Sequence, residues 1–263
     1  MHAANFKALG FDGEYTAIDV DPADLAPTIA RLAARGFSGF NCTIPHKETV
    51  IPLLSRLSPS ARLCGAVNTV KIGPGGEMTG CNTDCAGFRL ALEDAGMAIA
   101  GRRVAILGAG GAARAAAVAC IGGKCKSVAI ANRTRERAER LARALKNYAA
   151  ENNAAISPCG GLDDPDTVQA VLDADIVVNA TPVGLAEGDP PAFPGEMLRG
   201  AAQLVFDLAP VARETATVSE AKRSGTAAIG GLGMLVHQGA EAFRIWTGLA
   251  PDLAAMRSAV GFR

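Results

Sequence analysis

Residues 103–114 constrain this chain more than any other stretch. Arg103-Val104-Ala105-Ile106-Leu107 is a short apolar run of strand type. It passes without a break into Gly108-Ala109-Gly110-Gly111-Ala112-Ala113-Arg114, a glycine-rich turn entering an alanine-rich helix. Gly108 permits the tight turn, and Gly110 lets backbone amides approach a bound anion. Ala113, where a third glycine would stand, keeps helix and strand close. A diphosphate then sits at the positive end of the helix dipole. The local sequence therefore predicts a dinucleotide site on an α/β sheet.

The end of the next strand bears on which dinucleotide. A site for an unphosphorylated ribose carries an acid there to bond the 2′-hydroxyl. This chain has Asn132-Arg133-Thr134-Arg135. Two guanidinium groups and a hydroxyl suit a 2′-phosphate, which an acid would repel. The same residues also read as a helix start capped by Thr134 with solvated arginines, and the cap would itself position them. NADP is the cofactor expected.

Along the rest of the chain, apolar runs of strand length alternate with helical patterns. Strands are expected over 14–20, 37–43, 103–107, 127–131, 176–180 and 204–208, and helices over 22–35, 82–95, 111–121 and 135–150. Asp21 is placed to cap the first helix, with Pro22 at its first position and Gly36 closing it. Residues 66–72 and 77–81 around Gly73-Pro74-Gly75-Gly76 predict a hairpin. The 189–194 stretch, with three prolines, reads as a rigid surface loop. Such alternation predicts parallel sheets with helical crossovers.

Bulk properties exclude several classes. The 263 residues are 49% apolar and 20% charged, which is a globular profile long enough for two cores. Basic and acidic residues balance at 26 each, so bulk charge predicts neither a nucleic-acid nor an anionic-membrane partner. No apolar run approaches the ~18 residues of a membrane span, and residues 1–6 lack signal-peptide blocks. Seven scattered cysteines without a C-x-x-C pair predict reduced thiols and a cytoplasmic protein. Cys81 and Cys85 are four apart but have no second Cys or His pair, so no metal is expected.

Three polar clusters stand out. Asn41-Cys42-Thr43-Ile44-Pro45-His46-Lys47 ends a predicted strand, where open α/β sheets bind ligands. Asn68-Thr69 lies in another strand, and Asn82-Thr83-Asp84 begins a helix. Lys47 suits proton exchange, but it equally suits a solvated helix-start lysine. Asp84 equally suits a first-turn acid favoured by the dipole. Spacing alone does not pair them.

Asn41-x-Thr43-x-Pro45-x-Lys47, Gly65-Ala66-Val67-Asn68-Thr69 and Asn82-Thr83-Asp84-x-x-Gly87 closely resemble three successive motifs of shikimate dehydrogenases. Gly108-x-Gly110-Gly111-Ala112, Asn132-Arg133-Thr134, Asn179-Ala180-Thr181-Pro182-x-Gly184 and Gly233-Met234-Leu235-Val236-x-Gln238 resemble the later ones, in the same order. The resemblance implies an α/β protein of two domains. An open α/β substrate domain would span 1–84 with 231–263, and a Rossmann-type NADP-binding domain 85–230. It implies reversible reduction of 3-dehydroshikimate to shikimate. Lys47 would be the acid/base and Asp84 its orienting partner, with Asn68, Gln238 and Thr43 at the substrate. Gly108, Ala109, Gly110, Gly111, Ala112, Asn132, Arg133, Thr134 and Arg135 would hold the NADP phosphates. Asn179, Ala180, Thr181 and Met234 would lie near the cofactor. A small-molecule substrate is the expected partner, with no nucleic acid or membrane, in a monomer or homodimer.

The chain departs from the family pattern in three places. Met1 aligns just after a strand and a loop whose two serines hold the substrate carboxylate. A segment upstream of Met1 is therefore expected, and without it a gapped or rearranged substrate sheet with a weak hold on shikimate. A tyrosine usual after the strand ending at Asp207 is replaced within Leu208-Ala209-Pro210, and a usual aspartate is Gly230. All three fall on the substrate side. They leave room for quinate or a related polyol acid as substrate, and for a weakened NADP-binding paralogue. The retained Lys47, Asp84, Asn68 and Gln238 argue against the paralogue.

Overall fold

The computed structural model describes residues 1–262. The chain divides into two compact units, Met1–Gly87 with Val236–Arg263, and Phe88–Leu235.

In the first unit, α1 (His2–Leu9) is followed by α2 (Leu25–Ala34), β1 (Gly39–Asn41), α3 (His46–Thr49) and β2 (Arg56–Leu57). Then come α4 (Pro59–Cys64), β3 (Thr69–Ile72), β4 (Met78–Cys81) and α5 (Asp84–Asp94), which carries the chain into the second unit. Asp21 accepts from the Ala23 amide as expected, although the first turn, Pro22–Asp24, is a 3-10 turn. The sheet order is β1-β3-β4-β2. β3 pairs antiparallel with both β1 and β4, and only β2–β4 is parallel. The β3–β4 pair is the hairpin expected around 73–76, while the antiparallel β1–β3 pair departs from the parallel pairing expected of the alternating elements.

Two strand expectations fail here. Residues 14–20 form no strand, and all but Val20 are exposed. Their apolar residues do not alternate onto a buried face, since Tyr15 and Ile18 are 43% and 50% exposed. The strand expected over 37–43 shortens to Gly39–Asn41, since Thr43 is drawn into the turn, its carbonyl accepting from the His46 amide at 2.8 Å.

Leu25, Ile29, Val50, Val67 and Val70 form the apolar core of this unit. Each such buried side chain contributes roughly 1.5–3 kcal/mol. Trp246 closes over the sheet, its Nε1 donating to the Val70 carbonyl at 2.9 Å. Gly39 is needed beneath it, for a Cβ there would lie 2.2 Å from the Val70 oxygen and 2.4 Å from the Trp246 ring.

The second unit runs β5 (Arg103–Leu107), α6 (Gly111–Gly122), β6 (Ser127–Ala131), α7 (Arg135–Glu151), β7 (Ala155–Cys159), α8 (Pro165–Asp173), β8 (Ile176–Asn179), β9 (Leu204–Asp207), α9 (Ala216–Arg223) and β10 (Ala227–Ile229). α10 (Leu232–Thr247) returns the chain to the first unit, which ends with α11 (Leu253–Ala259). The sheet is all parallel in the order β10-β9-β8-β5-β6-β7. The chain thus starts in the middle at β5, winds out to β7, then returns to β8 on the other side. This is the doubly wound dinucleotide-binding topology, with its switch point between β5 and β8.

Every residue of β8 and β9 is buried, as parallel strands covered on both faces must be. α6 packs through Ala113, Ala115, Ala116 and Ala117, none with exposed surface. Pro158 obscured β7 in the sequence; it is tolerated because β7 is an edge strand. The loop expected at 189–194 does lack regular structure, but Phe193 is 1% exposed and packs in the core, so the segment is anchored rather than lying on the surface.

Candidate active site

Four separate stretches of the first unit converge on one polar cluster. β1 ends at Asn41, and the chain turns through Thr43 into α3, where Lys47 stands. The Val67 amide donates to the Lys47 carbonyl at 2.7 Å, tying α3 to the segment that enters β3. β4 then ends at Cys81 and delivers Asn82, Thr83 and Asp84 at the start of α5. The Asn82 carboxamide accepts from the Asp84 amide at 3.1 Å and donates to the Ala66 carbonyl at 3.1 Å. Asp84 is thereby fixed in the first helical turn, where the dipole favours a negative charge.

Lys47 Nζ donates to Asp84 Oδ2 at 2.8 Å. The lysine side chain is 31% exposed and the aspartate side chain 13%, so the lysine is the more open member of the pair. Asn68 Nδ2 donates to Asp84 Oδ1 at 2.8 Å and to Thr83 Oγ1 at 3.0 Å. Its Oδ1 accepts from the Thr83 amide at 2.8 Å and from Thr69 Oγ1 at 3.1 Å. Asn68 is 3% exposed and its hydrogen-bonding capacity is filled. It therefore aims Asp84, and it reaches a ligand only by exchanging one of these bonds.

Thr83 Oγ1 donates to Gln238 Oε1 at 3.4 Å, which brings α10 to the cluster. Thr43 is exposed. Burial pushes the neighbouring Cys42 thiol up to about 11, against the opposing pull of the Lys47 ammonium, so it stays protonated at neutral pH.

Asn41 was given no role from sequence, yet its Nδ2 donates to the Asn68 carbonyl and to Thr69 Oγ1, both at 3.0 Å. Asn82 and Thr83 are supports of the same kind. Their signal was present in the Asn82-Thr83-Asp84 run, but which way each side chain faces depends on the strand and helix meeting there.

In the second unit, Gly108 has φ +114°, and a Cβ on it would lie 2.7 Å from the Ala180 carbonyl oxygen. The turn between β5 and α6 and the end of β8 therefore approach more closely than any other residue allows. Gly110 caps α6 with no side-chain bond to the first-turn amides. Nothing lies within 4 Å of where a Cβ on Gly110 or Gly111 would be. Ala109 is half-buried, and Gly111 and Ala112 are exposed. Open space above uncapped amides is what an anionic diphosphate requires.

Thr134 occupies the N-cap of α7 but makes no capping bond, which corrects its expected role. Asn132 Nδ2 instead donates to the Thr134 carbonyl at 2.8 Å. Arg135 pairs with Asp164 at 2.9 Å and lies 3.6 Å from Glu139. Among the described residues Arg133 is exposed and has no acidic partner, so it is the freer of the two guanidinium groups.

Asn179 is buried; its Nδ2 donates to Asp207 Oδ1 and to the Val183 carbonyl, both at 2.9 Å. Its Oδ1 accepts from Thr181 Oγ1 at 2.7 Å. It shapes the 180–184 turn rather than pointing outward. Asp207, fully buried, also accepts from Thr215 Oγ1 at 2.5 Å and from the Ala209 amide at 3.2 Å. Asp207 had no assigned role; its signal was a carboxylate closing the apolar run 204–206. Met234 is 7% exposed, on α10.

The profile of the shikimate dehydrogenase substrate binding domain matches residues 1–70. That of shikimate / quinate 5-dehydrogenase matches 89–183, and that of the shikimate 5′-dehydrogenase C-terminal domain matches 231–260. Shikimate dehydrogenase (NADP(+)) of Rubrobacter xylanophilus is 44% identical over 260 residues, covering 99% of this chain and 89% of that protein. The chain belongs to the shikimate dehydrogenase family. The crystal structure of the Thermus thermophilus shikimate 5-dehydrogenase in complex with NADP(H) and shikimate superposes with TM-score 0.84 at 35% identity, over 98% of this chain and 91% of that one. The quinate dehydrogenase of Corynebacterium glutamicum in complex with NAD superposes with TM-score 0.87 at 33% identity, over 98% of this chain and 91% of that one.

No helix among the described residues is long and apolar enough to cross a membrane. Among them, no group of three or more His, Cys, Asp or Glu side chains is placed to hold a metal ion.

Proposed function

We propose that this chain is an oxidoreductase that catalyses the reversible NADP-dependent reduction of 3-dehydroshikimate to shikimate. The observation that carries this is the Lys47–Asp84 pair at 2.8 Å, set in a hydrogen-bonded polar network in a chain that also holds an uncapped glycine turn on a doubly wound sheet. When bound, NADPH supplies the hydride. Gly108 to Ala112 would hold its diphosphate, and Arg133, seconded by Arg135, its 2′-phosphate. Asn132 and Thr134 would shape that end of the site. Asn179, Ala180 and Thr181 would form the turn beside it, and Met234 would pack near the nicotinamide.

Lys47 holds the proton that the substrate carbonyl oxygen takes as negative charge develops on it, and a fixed ammonium stabilises that charge as it forms. Asp84 keeps the ammonium in place and accepts from a substrate hydroxyl. Gln238 holds ring hydroxyls, and Thr43 lines the pocket. Asn68 fixes Asp84 and turns to the substrate by exchanging its bond to Thr83. In the reverse direction neutral Lys47 recovers the proton. Residues 1–84 with 231–263 serve the substrate and residues 85–230 the cofactor. The protein works in the cytoplasm as a monomer or homodimer without a nucleic-acid partner.

Quinate is the competing substrate, because the profile matching 89–183 spans both activities. Turnover of shikimate and quinate, each with NADP+ and NAD+, separates the two. The expected result is the highest kcat/KM for shikimate with NADP+. A preference for quinate or for NAD+ would overturn the assignment.

A further inference from the structure

Cys64 Sγ and Cys85 Sγ lie 3.2 Å apart. Among the described residues no other two sulfurs are in such contact, and all seven cysteines are free thiols. Cys64 is the last residue of α4, where Gly65 at φ +57° ends the helix, and Cys85 is the second residue of α5. The contact therefore joins two helix ends that flank the polar cluster. One leads into the Gly65–Asn68 segment, and the other begins with Asp84. Cys64 is 2% exposed, whereas Cys85 is half-buried and is the more exposed residue of the two.

A disulfide bond of about 2.05 Å needs these sulfurs to close by roughly 1 Å, which a small shift of the first turn of α5 supplies without refolding. We infer that Cys64 and Cys85 form a reversible disulfide under oxidising conditions, and that this bond lowers turnover by displacing Asp84. The oxidant is a low-molecular-weight disulfide. The Cys85 thiolate attacks one of its sulfurs, releasing one small thiol and leaving a mixed disulfide. Cys64 then displaces the second small thiol and closes the bond. Two protein thiols lose two electrons and two protons, and one small disulfide becomes two thiols. The Cys85 thiol is pushed well up, first by its hydrogen bond with Cys64, then by burial and by the Asp84 carboxylate. Little thiolate is present at neutral pH, so the bond answers sustained rather than brief oxidation.

The path to activity is short. Cys85 Sγ lies 3.9 Å from Asn82 Oδ1, the atom that caps the Asp84 amide. Drawing Cys85 toward α4 moves the first turn of α5, and with it the carboxylate bonded to Lys47 and Asn68. Misplacing a catalytic constellation by about 1 Å can cost on the order of 100-fold in rate, so a fall of roughly 10- to 100-fold is expected.

The test treats reduced protein with oxidised glutathione. It follows both the shikimate–NADP+ rate and the non-reducing peptide map. A Cys64–Cys85 linked peptide should accumulate in step with the loss of rate, and dithiothreitol should reverse both. Cys85→Ser and Cys64→Ala should keep their rates under the same treatment; the first avoids replacing a buried core residue. A stable glutathione adduct on Cys85 with no linked peptide would overturn the inference. So would a linked peptide at unchanged rate, or equal loss in the Cys85→Ser protein. Reduced protein that does not oxidise shikimate at all contradicts the assigned reaction instead, and the peptide map still decides whether the bond forms.

Discussion

The two units build their sites from different materials. In the first, side chains from α3, the segment entering β3, the start of α5 and α10 converge and hydrogen-bond one another. In the second, the site is mostly backbone: a glycine turn, uncapped amides and the ends of parallel strands, with the Arg133 guanidinium, which has no acidic partner among the described residues, nearby. The first arrangement stores orientation, which proton transfer needs. The second stores unmet hydrogen-bonding capacity, which a diphosphate needs. Substitutions should therefore separate rate from cofactor affinity according to the unit they fall in.

The largest effect is expected at Lys47. Lys47→Ala should lower kcat by roughly 100- to 10,000-fold, the usual worth of a positioned acid/base. Its NADPH affinity and urea midpoint should stay close to wild type. Steady-state kinetics with a binding titration checks this, and a wild-type rate would make Lys47 a surface residue.

Next comes Asp207, whose role is structural although it sits at a strand end on the cofactor side. Asp207→Ala leaves the Thr215 hydroxyl, the Ala209 amide and one Asn179 donor without their carboxylate. The expected cost is roughly 3 kcal/mol, because buried donors lose their partners together. Urea unfolding measures it. An unchanged midpoint would show that water replaces the carboxylate.

Arg133→Ala should weaken NADP+ binding roughly tenfold, about 1.4 kcal/mol, and leave NAD+ binding unchanged. Arg135→Ala should do less, since Asp164 already engages its guanidinium. Equal losses would mean that the ion pair opens when the cofactor binds. The smallest effect is expected at Trp246→Phe, about 1 kcal/mol of stability for the lost bond to the Val70 carbonyl, with kcat unchanged.

What was legible in the sequence follows the same division. β5, the glycine turn and β6 were readable to the residue, because strand, turn and helix signals are local and contiguous there. The arginines in place of an acid were readable for the same reason. Their unequal engagement was not, because Asp164 lies on the far side of β7, an edge strand obscured by Pro158. In the first unit, residues 14–20 have strand composition but gain no partner; pairing is a tertiary event that composition does not carry. Lys47 and Asp84 were paired only through the order of family motifs, since 37 residues separate them. The supports Asn41, Asn82 and Thr83 were visible as residues and invisible as contacts. Asp207 was hidden by the ordinariness of an acid at a strand end.

The central claim is that catalysis and cofactor affinity reside in different units, and two variants measured together test it most directly. NADPH affinity and the shikimate–NADP+ rate at saturating cofactor would be measured for Lys47→Ala and Gly108→Ala. Gly108→Ala places a Cβ 2.7 Å from the Ala180 carbonyl oxygen at φ +114°. It should weaken NADPH binding roughly tenfold or more and recover most of its rate when the cofactor is saturating. Lys47→Ala should bind NADPH normally and stay slow at any cofactor concentration. If both variants lose affinity and rate in the same proportion, the two sites do not divide the work and the account is wrong.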